Sequence, residues 1–201
     1  MLDSLLAPPD AGAELTKKYK SLGSAYGALP GANLVAVSLP GKFAKLEVGK
    51  AIDSGLHTFL FSDNLTIDEE IELKERARER GLLVMGPGCG TAILNGVGLG
   101  FANVLDRGPV GMVAASRTGL QEVSCLINNS GVGISHAIGV GGRDLSEDVS
   151  GIMTLEALKL LERDGATEFL VLVSKPPSKN VAEKIIGAIE SSNKPAVICF
   201  L

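Results

Sequence analysis

The strongest candidate for a chemical site is the turn formed by Ser116, Arg117, Thr118 and Gly119, which follows an apolar strand predicted at Val110–Ala115. A helix is predicted directly after this turn. The first backbone N–H groups of a helix lack partners within it and carry a partial positive charge, so they attract anions. The two hydroxyls can donate to the same anion, and Arg117 can form a bidentate pair with phosphate or carboxylate. The alternative is that Ser116 or Thr118 only caps the helix.

A second candidate is the glycine-rich segment that follows Met85. Gly86, Gly88 and Gly90 have no β-carbon, so the backbone there can approach a ligand closely, and we count them with Cys89 as anion-binding candidates. The segment matches neither the dinucleotide fingerprint nor the P-loop, which argues against a mononucleotide motif. The Cys89 thiol has no histidine near it in sequence, and we favour a packing role over a nucleophilic one.

Two further loops follow predicted strands in the second half of the chain. Gly141, Gly142 and Arg143 come after one of them, and they are candidates for contact with a substrate or partner. The alternative for Arg143 is an ion pair with its neighbour Asp144 that stabilises a long loop.

Ser174 and Lys175 follow the next strand, and Lys175 either binds an anion or is a solvated lysine before two prolines. Ligands of open parallel sheets bind beyond the carboxyl ends of the strands. Because all four loops follow strands, we expect them to meet at that edge.

The elements that position these loops are indicated by short β-branched runs that alternate with amphipathic stretches, the pattern of βαβ units. The predicted fold class is α/β, with two doubly wound parallel-sheet units, one Rossmann-like and one flavodoxin-like. Strands are predicted at Leu34–Leu39, His57–Ser62, Leu82–Met85, Val110–Ala115, Ile134–Val140, Phe169–Ser174 and Ala196–Leu201. Helices are predicted at Lys42–Ser54, Ile67–Arg80, Thr118–Asn129, Ile152–Arg163 and Lys179–Ser191.

The boundary between the two units is predicted within a stretch so rich in glycine, Gly86–Gly100, that no regular element is expected there. The domains are therefore placed at residues 1–104, with a lead-in helix at Ala13–Tyr26, and at residues 105–201. Asn64 and Thr66 are candidate N-caps of the helix that begins near Ile67. The chain ends inside an apolar strand, so we expect it to be part of a longer protein or one half of a partnership.

Composition excludes several classes of function. The net charge is −4 and no basic run exists, which argues against nucleic-acid binding. No apolar stretch is long enough to span a membrane, and no residue spacing matches a metal site, so neither a membrane nor a metal is expected. The 3 cysteines lack C-x-x-C spacing, which favours the reducing cytoplasm. His57 and His136 lie in apolar strands and are expected to be structural.

Four segments carry a resemblance to a known family: FSDNLTIDEEIELKERARERGLLVMGPGCGT, FANVLDRGPVG, HAIGVGGRDLSEDVSGI and LVSKPPS. In their order along the chain they resemble the α-subunit superfamily of succinyl-CoA synthetase, and most closely its FdrA branch of acyl-CoA synthetase-like proteins. The resemblance runs from about Leu29 to Leu201.

The resemblance implies a coenzyme A-binding-type first domain and a succinyl-CoA-synthetase-type second domain. It places the phosphate-binding turn at Ser116–Gly119 and the turn between domains at Gly86–Gly90. It also implies that two loops of the first domain line a coenzyme A groove. Their residues are Pro40, Gly41, Lys42 and Phe43 in one loop and Ser62, Asp63 and Asn64 in the other.

Two departures from the family concern the phosphohistidine relay. The superfamily's phosphorylated histidine follows the strand that matches Ala196–Leu201, beyond the last residue given. The acidic partner of that histidine is replaced by Ser174-Lys175-Pro176, and a lysine has the wrong sign of charge to stabilise an imidazolium. The classical relay is therefore not expected in this chain by itself.

The resemblance implies an acyl- or carbamoyl-transferring enzyme that uses a phosphate-bearing ligand or coenzyme A, with a β-like partner subunit or self-association. The alternative is a non-catalytic subunit that binds ligand or acts as a scaffold in a carbamoyltransferase complex of oxamate or allantoin breakdown. A flavin-binding protein is disfavoured, since aromatic residues make up only 4% of the chain.

Overall fold

The computed structural model describes residues 18–200, and they fall into two compact units divided between Ala32 and Asn33. In the first unit the structure describes one helix, α1, at Leu22–Ala28. The Ser21 side chain caps it in a reciprocal capping box with Ser24. The lead-in helix was predicted to start earlier, at Ala13. Residues 13–17 lie outside the described part of the chain, and residues 18–21 are not helical, because the cap at Ser21 sets the start of α1.

The second unit begins with a parallel sheet whose strands β1, β2 and β3 lie in that order. Its strands are Leu34–Val37, His57–Leu60 and Val84–Met85, and the helices between them are α2 at Gly41–Asp53 and α3 at Ile67–Arg78. Thr66 caps α3 in a second capping box, with Glu69 as its reciprocal partner. Of the two predicted N-caps, Thr66 is therefore confirmed, and Asn64 takes a left-handed turn conformation (φ 63°) in the preceding loop.

The second sheet has six strands in the order β5-β4-β7-β6-β8-β9. Strands β6 to β9 run parallel, and β4 pairs antiparallel with both β5 and β7. The six strands are Thr91–Leu94, Val97–Gly100, Val110–Ala114, Ile134–Gly139, Phe169–Ser174 and Ala196–Phe200.

The hairpin of β4 and β5 corrects the prediction that Gly86–Gly100 forms no regular element. Its turn is Asn95-Gly96, with φ values of 52° and 81°. This dipeptide is the preferred one for a two-residue hairpin turn, because both central residues need a positive φ. Gly98 and Gly100 have a packing reason to be glycine. A β-carbon at Gly98 would lie 2.9 Å from Ala102 Cβ, and Gly100 has a φ of 65° and lies against the Gly90 carbonyl.

Helices cover both faces of the second sheet, which confirms the doubly wound α/β prediction for this part of the chain. The three helices are α4 at Arg117–Asn129, α5 at Ile152–Arg163 and α6 at Lys179–Glu190. Leu120 of α4 packs with Met112 on one face, while Leu158 of α5 and Ile185 of α6 belong to the larger core on the other. That larger core also contains Leu60 and Met85 of the first sheet. None of the helices in residues 18–200 is long and apolar enough to cross a membrane.

A buried ionic cluster links α3 of the first sheet to the loop that follows β7. The Lys74 ammonium is fully buried and lies 2.7 Å from both Glu70 Oε1 and Asp144 Oδ1. Asp144 also accepts hydrogen bonds from the N–H groups of Met153 and Thr154 at the start of α5. Asp144 thereby caps a helix whose own N-cap residue has no side-chain hydrogen bond.

Candidate functional site

A cavity of about 540 Å³ lies where the carboxyl end of the first sheet meets the start of α4. Both the turn at Arg117 and the glycine-rich turn at Gly88 open into it, as the sequence predicts. It is lined by Ser38, Leu39, Pro40, Phe61, Ser62, Asp63, Gly88, Gly90, Thr91, Phe101, Arg117, Thr118 and Gln121. The structure thus brings four of the predicted segments together around one space, those at Pro40, Ser62–Asp63, Gly88–Gly90 and Arg117–Thr118.

The Arg117 guanidinium lies directly over Gly88, in the space that a β-carbon at that position would occupy. Within the described part of the chain no carboxylate pairs with this guanidinium. Gly88 itself has a positive φ of 66°, which a residue without a β-carbon adopts at little cost. The arrangement places an unpaired positive charge beside the cavity.

The start of α4 adds backbone donors to that charge. Ser116 is the N-cap, and its hydroxyl accepts the N–H of Gly119 at 3.2 Å. Ser116 is therefore a helix cap, as the alternative interpretation of this turn proposed. The exposed Thr118 hydroxyl makes no hydrogen bond within residues 18–200. Among residues 18–200 the N–H groups of Arg117 and Thr118 have no acceptor, as is usual for the first turn of a helix. Gly119 has a packing role, since a β-carbon there would lie 2.8 Å from Ser116 Oγ.

The glycine-rich turn is held in place by the carboxyl end of β2. It begins with a cis peptide bond between Gly86 and Pro87. Its N–H groups at Gly88 and Cys89 donate to the carbonyls of Ser62 (2.8 Å) and Leu60 (3.1 Å). Gly86 has a φ of 131° and fits against the Leu60 carbonyl, where a side chain would overlap the strand.

Cys89 does not present its thiol to the cavity. The sulfur is buried and lies 3.2 Å from the carbonyl oxygen of Gly139 and 3.3 Å from that of Thr91. Burial raises the pKa of the thiol to about 11, so the thiolate is scarce at neutral pH. These observations support the packing role over the nucleophilic one.

The two loops of the first sheet contribute different groups. Pro40, Ser62 and Asp63 line the cavity. The buried Ser62 hydroxyl accepts the N–H of Leu39 at 2.7 Å, which ties the ends of β1 and β2 together. Asp63 is the only carboxylate among the lining residues, and its Oδ1 accepts a hydrogen bond from Asn64.

Gly41, Lys42, Phe43 and Asn64 lie beside the cavity but do not line it. A β-carbon at Gly41 would come 2.5 Å from the Asn64 carbonyl oxygen, so this glycine lets α2 pack against the second loop. The Lys42 ammonium lies 4.9 Å from the centroid of the exposed Phe43 ring.

The remaining candidates lie outside the cavity. Arg143 pairs with Glu70 at 2.8 Å rather than with Asp144, and it also donates to the Leu65 carbonyl. Arg143 therefore does not form the predicted pair with Asp144, because Lys74 occupies Asp144 and Arg143 takes the other oxygen of Glu70. Its contact with a substrate or partner stays a prediction.

The glycines before Arg143 differ from each other. Gly141 packs against Gly86, whose carbonyl carbon would lie 2.8 Å from a β-carbon at Gly141, and Gly142 has open space around it. Ser174 is buried at the end of β8, and Lys175 is exposed beside it. Neither of these two lines the cavity.

Sequence reasoning missed an aromatic wall of the cavity. Phe61 and Phe101 meet edge to face, with ring centroids 5.5 Å apart. Gln121 fixes the chain at Phe101 by donating to its carbonyl at 2.7 Å. The sequence could have pointed to Gln121, because it follows Arg117 by four residues and the two side chains therefore lie on one face of the helix. Phe101 follows the hairpin that was not predicted, so nothing in the pattern placed it here.

Comparison with known proteins gives the chain a family. The model of the CoA binding domain matches residues 106–201, the segment predicted to be the flavodoxin-like domain. YahF of Escherichia coli K12, an uncharacterised protein, is 47% identical over 184 residues, which are 92% of this chain and 36% of YahF. The α-subunit of the ADP-forming succinate–CoA ligase of Methanothermobacter thermautotrophicus is 25% identical over 166 residues, 81% of this chain and 55% of the subunit.

A solved structure supports the fold. ATP citrate lyase from Methanothrix soehngenii, in complex with citrate and coenzyme A, superposes with a TM-score of 0.77 at 18% identity, over 91% of this chain and 31% of the lyase. The fold is therefore the α/β fold of CoA-binding, succinyl-CoA synthetase-like proteins. The chain contains a CoA binding domain and is homologous to succinyl-CoA synthetase α-subunit-like proteins, as its sequence motifs indicated. It spans 36% to 55% of the length of these two curated relatives.

Proposed function

We propose that the chain binds a phosphate-bearing ligand, coenzyme A or an acyl or carbamoyl phosphate, and takes part in transfer of its acyl or carbamoyl group. The observation that carries this proposal is the unpaired Arg117 guanidinium over Gly88, beside the free N–H groups of α4. Guanidinium and helix N–H groups are the donors that hold phosphate oxygens.

The chemical character of the residues that line the cavity matches that of coenzyme A. Arg117 and the start of α4 offer donors to a phosphate, and Phe61 and Phe101 offer an apolar wall to its uncharged portion. Coenzyme A, when bound, supplies the thiol that carries an acyl group. The protein's part is to hold the phosphate and orient the ligand, since backbone donors fixed in advance need no rearrangement during the reaction.

The carbamoyl variant of this proposal comes from the FdrA resemblance, which the identity to YahF supports. A non-catalytic role as the ligand-binding subunit of a carbamoyltransferase complex is favoured by one observation. The residues that line the cavity include one carboxylate, Asp63, but no histidine and no reactive thiol, so a histidine or thiol that reacts with the ligand would come from a partner. We propose a β-like subunit as that partner, and the cytoplasm as the compartment, where free cysteines such as Cys89 persist.

Calorimetric titration of the chain with coenzyme A, inorganic phosphate, carbamoyl phosphate and oxamate tests the proposal. We expect at least one phosphate-bearing ligand to bind, and Arg117→Ala to weaken it by about 10- to 100-fold, the range for hydrogen bonds to charged groups. Arg163→Ala is the matched control, since this exposed arginine of α5 removes the same charge far from the cavity.

Binding that weakens equally in both variants would assign the effect to overall charge and contradict the site. If the chain binds a ligand at Arg117 but shows no transfer activity with any of the four ligands, the chain is a non-catalytic, ligand-binding subunit. Activity that appears only when a partner chain is added would support the same conclusion.

A further inference from the structure

Another cavity, of about 530 Å³, lies between the two sheets. It is at the amino ends of the strands of the first sheet, opposite to the proposed phosphate site. Its wall is mainly aliphatic, with Leu34, Leu83, Leu94, Leu99 and Ile138 among its residues. Cavities of this size and apolar character with a few fixed polar groups are typical of sites for small molecules. The phosphate site proposed above lies elsewhere and does not account for this space.

Both histidines of the chain line this cavity. His57 Nδ1 accepts the N–H of Leu83 at 3.0 Å, and His136 Nδ1 accepts the N–H of Asn95 at 3.2 Å. A nitrogen that accepts a hydrogen bond carries no hydrogen, so each neutral ring holds its proton on Nε2. Burial lowers the pKa of both rings, which keeps them neutral near pH 7.

The two Nε2–H groups differ in their surroundings. That of His136 lies 3.5 Å from Asp164 Oδ2. That of His57 has no acceptor within residues 18–200. His57 Nε2 is not among the fully buried side-chain atoms that lack a partner, so a molecule or water in the cavity can reach it and accept its hydrogen bond. The cavity therefore offers one free, neutral donor on an aliphatic surface.

The charges around the cavity select against charged ligands. Asp164 is the carboxylate in its wall, and it repels an anion. The same carboxylate already accepts the Thr167 hydroxyl at 2.6 Å and lies beside His136, so it has little capacity left for an ammonium group. An uncharged ligand meets neither obstacle.

We propose that this cavity is a second binding site, for a small uncharged molecule with an aliphatic body and one hydrogen-bond acceptor that receives the His57 Nε2–H. His57 is the residue that recognises the acceptor, and the leucines of both sheets hold the body. Because strands of both sheets contribute to the wall, a ligand here contacts both sheets at once.

Three probes of equal chain length test the site on the whole chain: 2-heptanone, heptanoate and heptylammonium. Methyl and imidazole NMR signals report binding. We expect 2-heptanone to shift signals of Leu34, Leu99 and the His57 ring in a saturable way, and the two charged probes to bind at least tenfold more weakly.

Variants of the lining residues test whether 2-heptanone binds in this cavity. Leu99→Trp and, independently, Leu34→Phe fill the cavity and are expected to abolish binding, while Val104→Trp adds the same bulk at a fully exposed position and should leave it intact. His57→Asn keeps an acceptor for the Leu83 N–H but removes the Nε2–H, and is expected to weaken 2-heptanone binding by about 3- to 10-fold.

The proposal is overturned if no probe gives saturable shifts, or if 2-heptanone binds equally well to folded cavity-filled variants. It is also overturned if a charged probe binds as tightly as the ketone. Cavity signals that change on dilution of the protein alone would show that a second copy fills the space, which contradicts a small-molecule site.

Discussion

The Arg117 guanidinium and the backbone of Gly88 are in direct contact, so that any side chain at Gly88 would overlap the guanidinium. The two residues are 29 positions apart and belong to turns at the ends of different strands, β3 and β6. Arg117 carries the only positive charge among the residues that line the proposed phosphate site, and the contact places that charge beside the glycine-rich turn.

Gly88→Ala tests this contact. A β-carbon at Gly88 displaces the guanidinium and adds strain, because the φ of 66° is unfavourable for alanine. We expect the variant to lose about 1 kcal/mol of stability and to bind phosphate-bearing ligands more weakly, as measured by urea unfolding and calorimetry. Gly142→Ala is the control, since a β-carbon there meets open space. Equal ligand affinity in Gly88→Ala and the wild type would contradict the contact's role.

Lys74→Met tests the buried ionic cluster. The substitution leaves Glu70 and Asp144 buried with one partner fewer, and such losses cost about 3–5 kcal/mol. Urea unfolding should therefore show a large loss for Lys74→Met and at most about 1 kcal/mol for Lys45→Met, which removes an exposed pair with Glu72. Comparable losses in the two variants would mean that the cluster contributes no more than a surface ion pair.

The half-buried His57 predicts a pH dependence of stability. Burial lowers the pKa of His57 from its usual 6.5, so the unfolded chain takes up a proton at a higher pH than the folded chain does. The free energy of unfolding is therefore expected to be highest above about pH 6.5 and to fall as the pH decreases through that value toward the folded-state pKa. Urea unfolding at pH 7.5 and 5.5 measures the fall. His57→Asn should reduce it, and an unchanged fall would assign it to other groups.

Cys89 is predicted to be the least reactive of the three thiols. Its pKa is raised to about 11 by burial, whereas Cys125 and Cys199 are only half-buried. A disulfide reagent such as Ellman's should therefore modify the native chain in a fast phase that survives in Cys89→Ala. If Cys89→Ala removes the fast phase, the packing role of this thiol is wrong.

The sequence predicted the parallel strands of the second sheet well because each contains a short, mostly apolar run, such as Val110–Ala114 and Phe169–Ser174. The prediction that Gly86–Gly100 forms no regular element was wrong. It rested on the high glycine content of this segment and overlooked Asn95-Gly96, which favours a two-residue hairpin turn. The division into domains at residues 104 and 105 stays a prediction, and the larger core contains residues from both sheets.

The sequence predicted which loops form the candidate site but not which of their side chains are free to bind a ligand. Loops that follow parallel strands meet at one edge, so Ser62, Gly88 and Arg117 could be placed together from their order alone. Which side chains remain free within those loops depends on partners distant in sequence. Arg143 is occupied by Glu70, 73 residues away, and no local pattern shows that pairing.

A crystal structure of the chain with coenzyme A or carbamoyl phosphate tests the central claim most directly. The account predicts a phosphate group within hydrogen-bond distance of the Arg117 guanidinium and the N–H of Thr118, in the cavity beside Gly88. A phosphate held elsewhere, for instance at Lys175 or Lys42, with Arg117 free, would contradict it.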